Sequence, residues 1–298
     1  MQCRRKEIVL IIAGNLTLDE IIAKQKTYKN MLGGPPAYSV KSLYSVLSVK
    51  PTVYSCVGYD FPESFESEIA SLSKLYISKS NKPTTRFKLI ETNGRQLFML
   101  TYSGEIETID LSLESVYMFS PVYKEVKLDF LKSAYKVGLV ILDPQGYLRV
   151  VDDDLRVYLR FNSAIWGLLR YVSVLRVSTD EYMALSKGLS IKRFLEKTYT
   201  LGVEVAIVTS PKTVHVVSDG KYFEFPTYTN VNVKSTTGAG DVFTAFFAYV
   251  YSKNYDVEKA LAYAIVASSF AVENIGPSSI DRKRFFERLR EYMELLYE

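Results

Sequence analysis

Gly238-Ala239-Gly240-Asp241 stands immediately before an apolar run, 242–251, that reads as a helix. Glycines let backbone N–H groups turn toward one point, and a helix start adds unpaired N–H donors and the positive end of its dipole. Such a turn suits an anion whose charge grows in a transition state. Asp241 in the first turn is either a cap and dipole partner or a base beside the anion, able to take a proton from a hydroxyl. Taken alone, the turn leaves these two readings level. Phosphate positioning and proton removal need different groups, and residues 236–241 offer both together.

Composition narrows the remaining chemistry. One histidine, His215, rules out a His-based zinc site or a Ser-His-Asp triad elsewhere, and Cys3 and Cys56 make neither a disulfide framework nor a metal cluster. The 37 basic and 33 acidic residues leave a net charge of +4, and the basic ones form no stripe, so nucleic acid is not an expected partner. At 298 residues and 48% hydrophobic content a sizeable core is expected. The N-terminal apolar run 8–13 is too short for a secretory core and reads as a buried strand, and no stretch reaches bilayer length. The chain reads as soluble and cytoplasmic, without a membrane partner.

The elements that must position the glycine turn are visible as short Val/Ile-rich runs at 8–13, 53–57, 116–119, 137–142, 174–177 and 205–209. Helix-like segments at 35–49, 180–199 and 256–274 lie among them. Continuous apolar strands alternating with helices predict an α/β three-layer sandwich, a mainly parallel central sheet flanked by helices. Ligands of such sheets sit beyond the carboxyl ends of the strands. Segment 84–104 breaks the alternation with two strand-like runs around Asn93-Gly94, a hairpin signal. It is either a small β-sheet lid or an antiparallel edge of the main sheet.

The run "TTGAGD" followed by an apolar helix resembles the signature of the ribokinase-like (pfkB) carbohydrate kinase family, and three further motifs extend the resemblance over most of the chain. "GNLTLDE" (14–20) is similar to the family's first-strand exit, which implies that Asp19 contacts substrate hydroxyls. "LGGPPAYSV" (32–40) is similar to its Gly-Gly substrate motif, so Gly33 and Gly34 would line the pocket and flex with the lid. "VSTDEYMAL" (177–185) is similar to its Asn-x-x-Glu stretch, which implies a Mg²⁺ and phosphate role for Glu181. By the same match Gly238, Ala239 and Gly240 form the anion hole and Asp241 is the catalytic base. The chain departs from the family at Ser235 (usually Asp), at Ser178 (usually Asn) and at Thr209-Ser210-Pro211, a nucleotide-holding turn without its glycine. The resemblance implies one ribokinase-like domain over 1–298, with a lid from about 15–30 and 82–108, and it allows a homodimer pairing through the lid.

"LDPQGYLR" (142–149) follows a strand and is either an ordinary loop capped by Asp143 or part of the ligand edge. In the second reading Asp143 lies near the transferred phosphoryl group and Arg149 contacts an anion. With "SPVYKEV" (120–126) and "GGPPAYS", this stretch resembles the archaeal and plant inositol-kinase-like branch. The expected reaction is transfer of the γ-phosphate of ATP, assisted by Mg²⁺, to a hydroxyl of a sugar or cyclitol, myo-inositol first. A nucleoside kinase of the same family and a non-catalytic nucleotide- or sugar-binding relative stand as alternatives. Asn15, Asp19, Gln145 and the hairpin's Arg86 are the candidate hydrogen-bonding partners of the substrate. Thr209, Thr237, Ala267 and Asn274 are the candidate nucleotide contacts, the adenine being expected near 264–271 and the 274–276 turn. His215 reads as a surface hairpin residue, the acids of "VDDDLR" (151–156) as a solvated loop, and the C-terminal segment as an amphipathic helix packing through Phe285, Leu289, Met293 and Leu296.

Overall fold

A computed structural model describes residues 8–23, 26–92, 94–112 and 114–297. Among the described residues, nine strands make one sheet and four make a second, smaller one. The large sheet is parallel from Lys74–Lys79 at one edge through Thr52–Val57, Leu10–Ala13, Ser115–Phe119, Gly138–Leu142, Val174–Ser178 and Val205–Thr209. Two antiparallel strands, Thr213–Ser218 and Lys221–Pro226, finish the other edge. Every apolar run read as a strand lies in this sheet. Their continuous hydrophobicity follows from burial on both faces: Leu10, Ile12, Val116 and Ile207 enter one core, Ile11, Ala13, Tyr117 and Ala206 the other.

Two helices cover the first core most closely, Ala239–Asn254 and Val257–Ala271, with Pro35–Leu47 and Arg282–Tyr297 against them. Phe285 is fully buried and Leu289 nearly so, as the amphipathic spacing predicts. The expected helix 180–199 is two helices, Thr179–Ser186 and Ile191–Thr200. Lys187 and Gly188 both take left-handed backbone between them (φ 52° and 82°), and Ser190 caps the second. A pattern of apolar residues carries no record of that break.

The hairpin belongs to the separate sheet, in the order Lys26–Gly33, Thr17–Ala23, Arg86–Glu91, Arg95–Thr101. Glu91 pairs with Arg95 across the turn, whose Asn93 lies outside the described residues. A short ribbon, Arg149–Val151 with Val157–Leu159, continues past the outer strand of the small sheet, where the Met99 amide donates to the Leu155 carbonyl at 2.9 Å. Asp152 in this ribbon accepts from the amides of Asp154 and Arg156, so it closes the ribbon's turn. No described helix is long and apolar enough to cross a membrane.

Candidate active site

The Ala239–Asn254 helix begins from Gly238 in left-handed backbone (φ 82°), with no side chain capping it, so the first amides of the helix are left for an outside acceptor. Gly238 is needed here for space as well as for conformation, and Gly240 for space alone. A β-carbon on Gly238 would overlap the Tyr38 ring, and one on Gly240 would overlap the Arg176 guanidinium. Asp241 sits in the first turn and receives a hydrogen bond from Gln145 Nε2 at 3.3 Å. Burial pushes its pKa up to about 7; the Asp143 charge adds to this, and Arg176 and Arg149 oppose it. A carboxylate titrating there is matched to general-base work near neutrality.

Charged groups stack beneath the turn. Arg176, on Val174–Ser178, donates to Asp143 Oδ2 at 2.9 Å and to Thr209 Oγ1 at 2.6 Å, and its buried Nε has no partner. Burial alone would lower its pKa, but the Asp143 and Glu181 carboxylates outweigh burial and raise it. Glu181 closes a capping box: its Oε2 accepts from the Ser178 amide at 2.7 Å while Ser178 Oγ accepts from the Glu181 amide. Ser178, the departure from Asn, therefore does the work of a helix cap. Arg149 donates to the Val122 carbonyl and to Gln145 Oε1 (2.9 and 2.8 Å) and lies over the Phe87 ring, 5.3 Å from its centre.

Two cavities meet at Asp241. The smaller, about 540 Å³ with its mouth, lies between the small sheet and the Pro35–Leu47 helix. Asp19, Thr17, Tyr38, Gln145 and Arg149 line it, with Ile21, Phe87, Leu89 and Leu97 as its apolar wall. Asp19 Oδ1, Thr17 Oγ1 and Tyr38 Oη are buried without a partner, three polar atoms left for a ligand's hydroxyls. A bulge between Asp19 and Ile21 re-aims this strand, and Gly33 is the only residue type that leaves room for the Asp19 carboxylate. Burial pushes Asp19 up to about 6, against the pull of its polar neighbours and of Arg149. Burial, then the Asp19 and Asp241 charges, raises Tyr38, which keeps its proton as a donor. The larger cleft, about 2350 Å³ with its open mouth, runs from Arg176, Glu181, Thr209 and Gly238–Asp241 to an apolar end at Val214, Val231, Ile265 and Val272 beside Tyr228.

The structure thus brings together Asp19, Gly34, Gln145, Arg149, Thr237, Gly238 and Asp241 around the smaller cavity. Ala239, Gly240, Thr209 and Glu181 join on the cleft side, with Asp143 buried behind Arg176. Gly33 lies against the Asp19 carboxylate and not in the cavity lining, and four further expected contacts lie elsewhere. Asn15 is fully buried and spends its side chain on the Cys56 amide and the Gly104 carbonyl, holding the first-strand exit to its neighbours. Arg86 pairs with Asp60 at 2.7 Å and donates to Asn30 at 2.9 Å, which makes it a clamp between the sheets rather than a pocket residue. Ala267 is buried in the core, and it is Ile265, Ser268 and Ser269 of its helix that face the cleft. Asn274 donates to the Phe270 carbonyl, and the turn after it packs Ile275 on the small sheet. Sequence reasoning missed Tyr38, Arg176 and Arg95, which reach the site from three distant elements. Tyr38 stands four residues after Gly34 inside the motif "GGPPAYS", a signal that spacing alone could have raised.

The model of the pfkB family of carbohydrate kinases matches residues 8–284. The chain belongs to that family. A pfkB family carbohydrate kinase is a phosphotransferase whose acceptor is a hydroxyl of a sugar or similar molecule. The chain is similar to a nucleoside kinase of Methanocaldococcus jannaschii, 28% identical over 243 residues, which are 77% of this chain and 76% of that one. Its fold is that of a pyrophosphate-dependent kinase of the ribokinase family solved with a pyrophosphate analog and myo-inositol (TM-score 0.78, 20% identity, 94% of this chain and 99% of that one). The ribokinase of Thermotoga maritima shares it as well (TM-score 0.76, 22% identity, 95% and 100%).

Proposed function

We propose that this pfkB family kinase transfers the γ-phosphoryl group of ATP to a hydroxyl of a small polyhydroxylated ring, with myo-inositol the first acceptor to try. The observation that carries this reading is the meeting of two unequal cavities at one aspartate. The smaller suits a ring offering hydroxyls to Asp19, Thr17 and Tyr38 on one side and C–H surface to Phe87, Leu89 and Leu97 on the other. The larger has an anion end at Arg176 and the glycine turn, and its apolar end beside Tyr228 suits a purine. Asp241 takes the proton of the attacking hydroxyl, and the free amides of the Gly238–Gly240 turn hold the phosphoryl oxygens. The small sheet acts as the lid that excludes water.

For Mg²⁺, no group of three acidic or other metal-ligating side chains is gathered among the described residues. Glu181 lines the cleft, but its capping box occupies one oxygen. This donor set suits an ion carried mainly by phosphate oxygens and water, with Glu181 as an outer contact. When bound, the ion neutralises phosphate charge.

ADP release is measured with MgATP against myo-inositol, ribose, fructose, cytidine and adenosine, and phosphate release with pyrophosphate as donor. Asp241→Asn is run in parallel. Turnover of a cyclitol or sugar with ATP, lost in Asp241→Asn, is the expected result. Preference for cytidine or adenosine would replace the acceptor assignment, turnover with pyrophosphate alone would replace the donor, and full activity of Asp241→Asn would remove the base.

A further inference from the structure

Six residues line both cavities: Arg95, Leu97, Gln145, Arg149, Gly238 and Asp241. Their shared wall is where a group passes from one cavity to the other. Gln145 and Arg149 are bonded to each other, and Arg149 also to the Val122 carbonyl. Arg95 stands apart. It is exposed, at the first position of Arg95–Thr101, and its guanidinium makes no hydrogen bond or ion pair among the described residues. Its partner across the hairpin, Glu91, lies instead within 3.5 Å of Thr237 Oγ1, at the entrance of the glycine turn. The Arg95 charge reaches Tyr38 and depresses Arg149 further than burial alone does, against the pull of Glu181, Asp241 and Asp143, so two guanidinium groups line one small cavity. Like charges held this way are relieved when an anion enters.

We propose that Arg95 is a catalytic residue carried by the small sheet, whose guanidinium contacts the phosphoryl group in transit between the two cavities. This rests on the kinase reading above. In the step, the acceptor oxygen bonds to the γ-phosphorus and the bond to the β,γ-bridging oxygen breaks. The electron pair leaves with ADP, and the acceptor's proton passes to Asp241. Arg95 meets the equatorial oxygens as charge spreads over them, and it comes from the element that covers the acceptor. Transfer therefore waits on the covering sheet.

Arg95→Ala, Arg95→Lys and a control on the same sheet, Lys88→Ala, are compared with wild type. Steady-state constants are measured for ATP and the best acceptor, and binding of ADP with and without aluminium fluoride is measured in the presence of that acceptor. Arg95→Ala is expected to lower kcat about 10²-fold with both KM values within a few-fold, and to abolish the tightening that aluminium fluoride gives wild type, while affinity for ADP stays the same. Guanidinium chloride restores part of the Arg95→Ala rate, and Arg95→Lys stays slow because the planar fork is gone. An unchanged kcat overturns the proposal; if the acceptor KM rises alone, Arg95 grips an anionic acceptor instead. Absence of turnover in wild type counts against the kinase reading. Equal aluminium fluoride tightening in wild type and Arg95→Ala counts against Arg95 whatever the turnover.

Discussion

At pH 5 the Asp241 carboxyl holds its proton and cannot accept another. With its pKa near 7, kcat/KM should fall tenfold per pH unit below that value, and a pH profile on the free enzyme reads it directly. Asp143 is one of the charges that keep this value high, and it also neutralises Arg176. Asp143→Asn removes the first effect and releases Arg176 to favour the carboxylate, so the acid limb should move to lower pH. A limb that stays in place would mean that burial alone sets it. Gly238→Ala forces a side chain into left-handed backbone and into the Tyr38 ring, at a cost of about 1–3 kcal/mol. Its kcat should fall at least about 10²-fold while far-ultraviolet circular dichroism stays native. The glycines and Asp241 were legible in the sequence because a backbone requirement is written in adjacent letters. Arg95 and Arg176 were not, since each owes its place to a contact between elements far apart in the chain, and Tyr38 was marked only by its spacing from Gly34.

Between elements, the Arg86 clamp fixes where the small sheet leaves the body. Asp60 receives Arg86 at 2.7 Å and both the amide and hydroxyl of Thr84, also at 2.7 Å, and Arg86 reaches across to Asn30. Burial alone would raise Asp60, but these bonds outweigh it and hold the carboxyl at about 2. The pair is partly exposed, so Arg86→Ala should cost only about 0.5–1 kcal/mol of global stability by urea titration. Its larger effect should be on the acceptor KM, raised several-fold through a loosened cover, with the ATP KM little changed. A change confined to the ATP KM would count against the clamp. Strand positions at this scale were readable because a two-sided buried strand is a run of Val and Ile. Left-handed residues at Lys187-Gly188 and the Arg149–Val151 ribbon were not readable, because a chain reversal needs no apolar pattern.

In the molecule as a whole, burying the Asp241 carboxylate is a cost to folding near neutral pH. An Asp with an ordinary pKa near 3.8 unfolded and about 7 folded binds more protons in the folded state between these values. Stability supplied by the protonated form is complete below about pH 4 and is lost as pH rises through 7. Asp241→Asn should therefore raise the Tm at pH 8, by on the order of 2 kcal/mol in unfolding free energy, with little change at pH 4. Calorimetry at the two pH values checks both the sign and the window. The order of the sheet and its two cores followed from the alternation of helices and strands, whereas the meeting of two cavities at Asp241 exists only once nine strands and the small sheet are assembled.

The small sheet's hairpin has a property of its own. Phe87 and Leu89 on one strand and Leu97 on the other form the apolar wall of the smaller cavity, and Leu89 and Leu97 are direct cross-strand partners. Asp241 and its glycines belong to the body. Part of the smaller cavity's apolar lining is thus written in one short ribbon, and a two-letter change at Leu89 and Leu97 can retune what that cavity accepts while Asp241, its glycines and Arg95 are kept. Diversification by exchanging the apolar residues of a hairpin around a fixed Arg95 is the evolutionary freedom this arrangement confers.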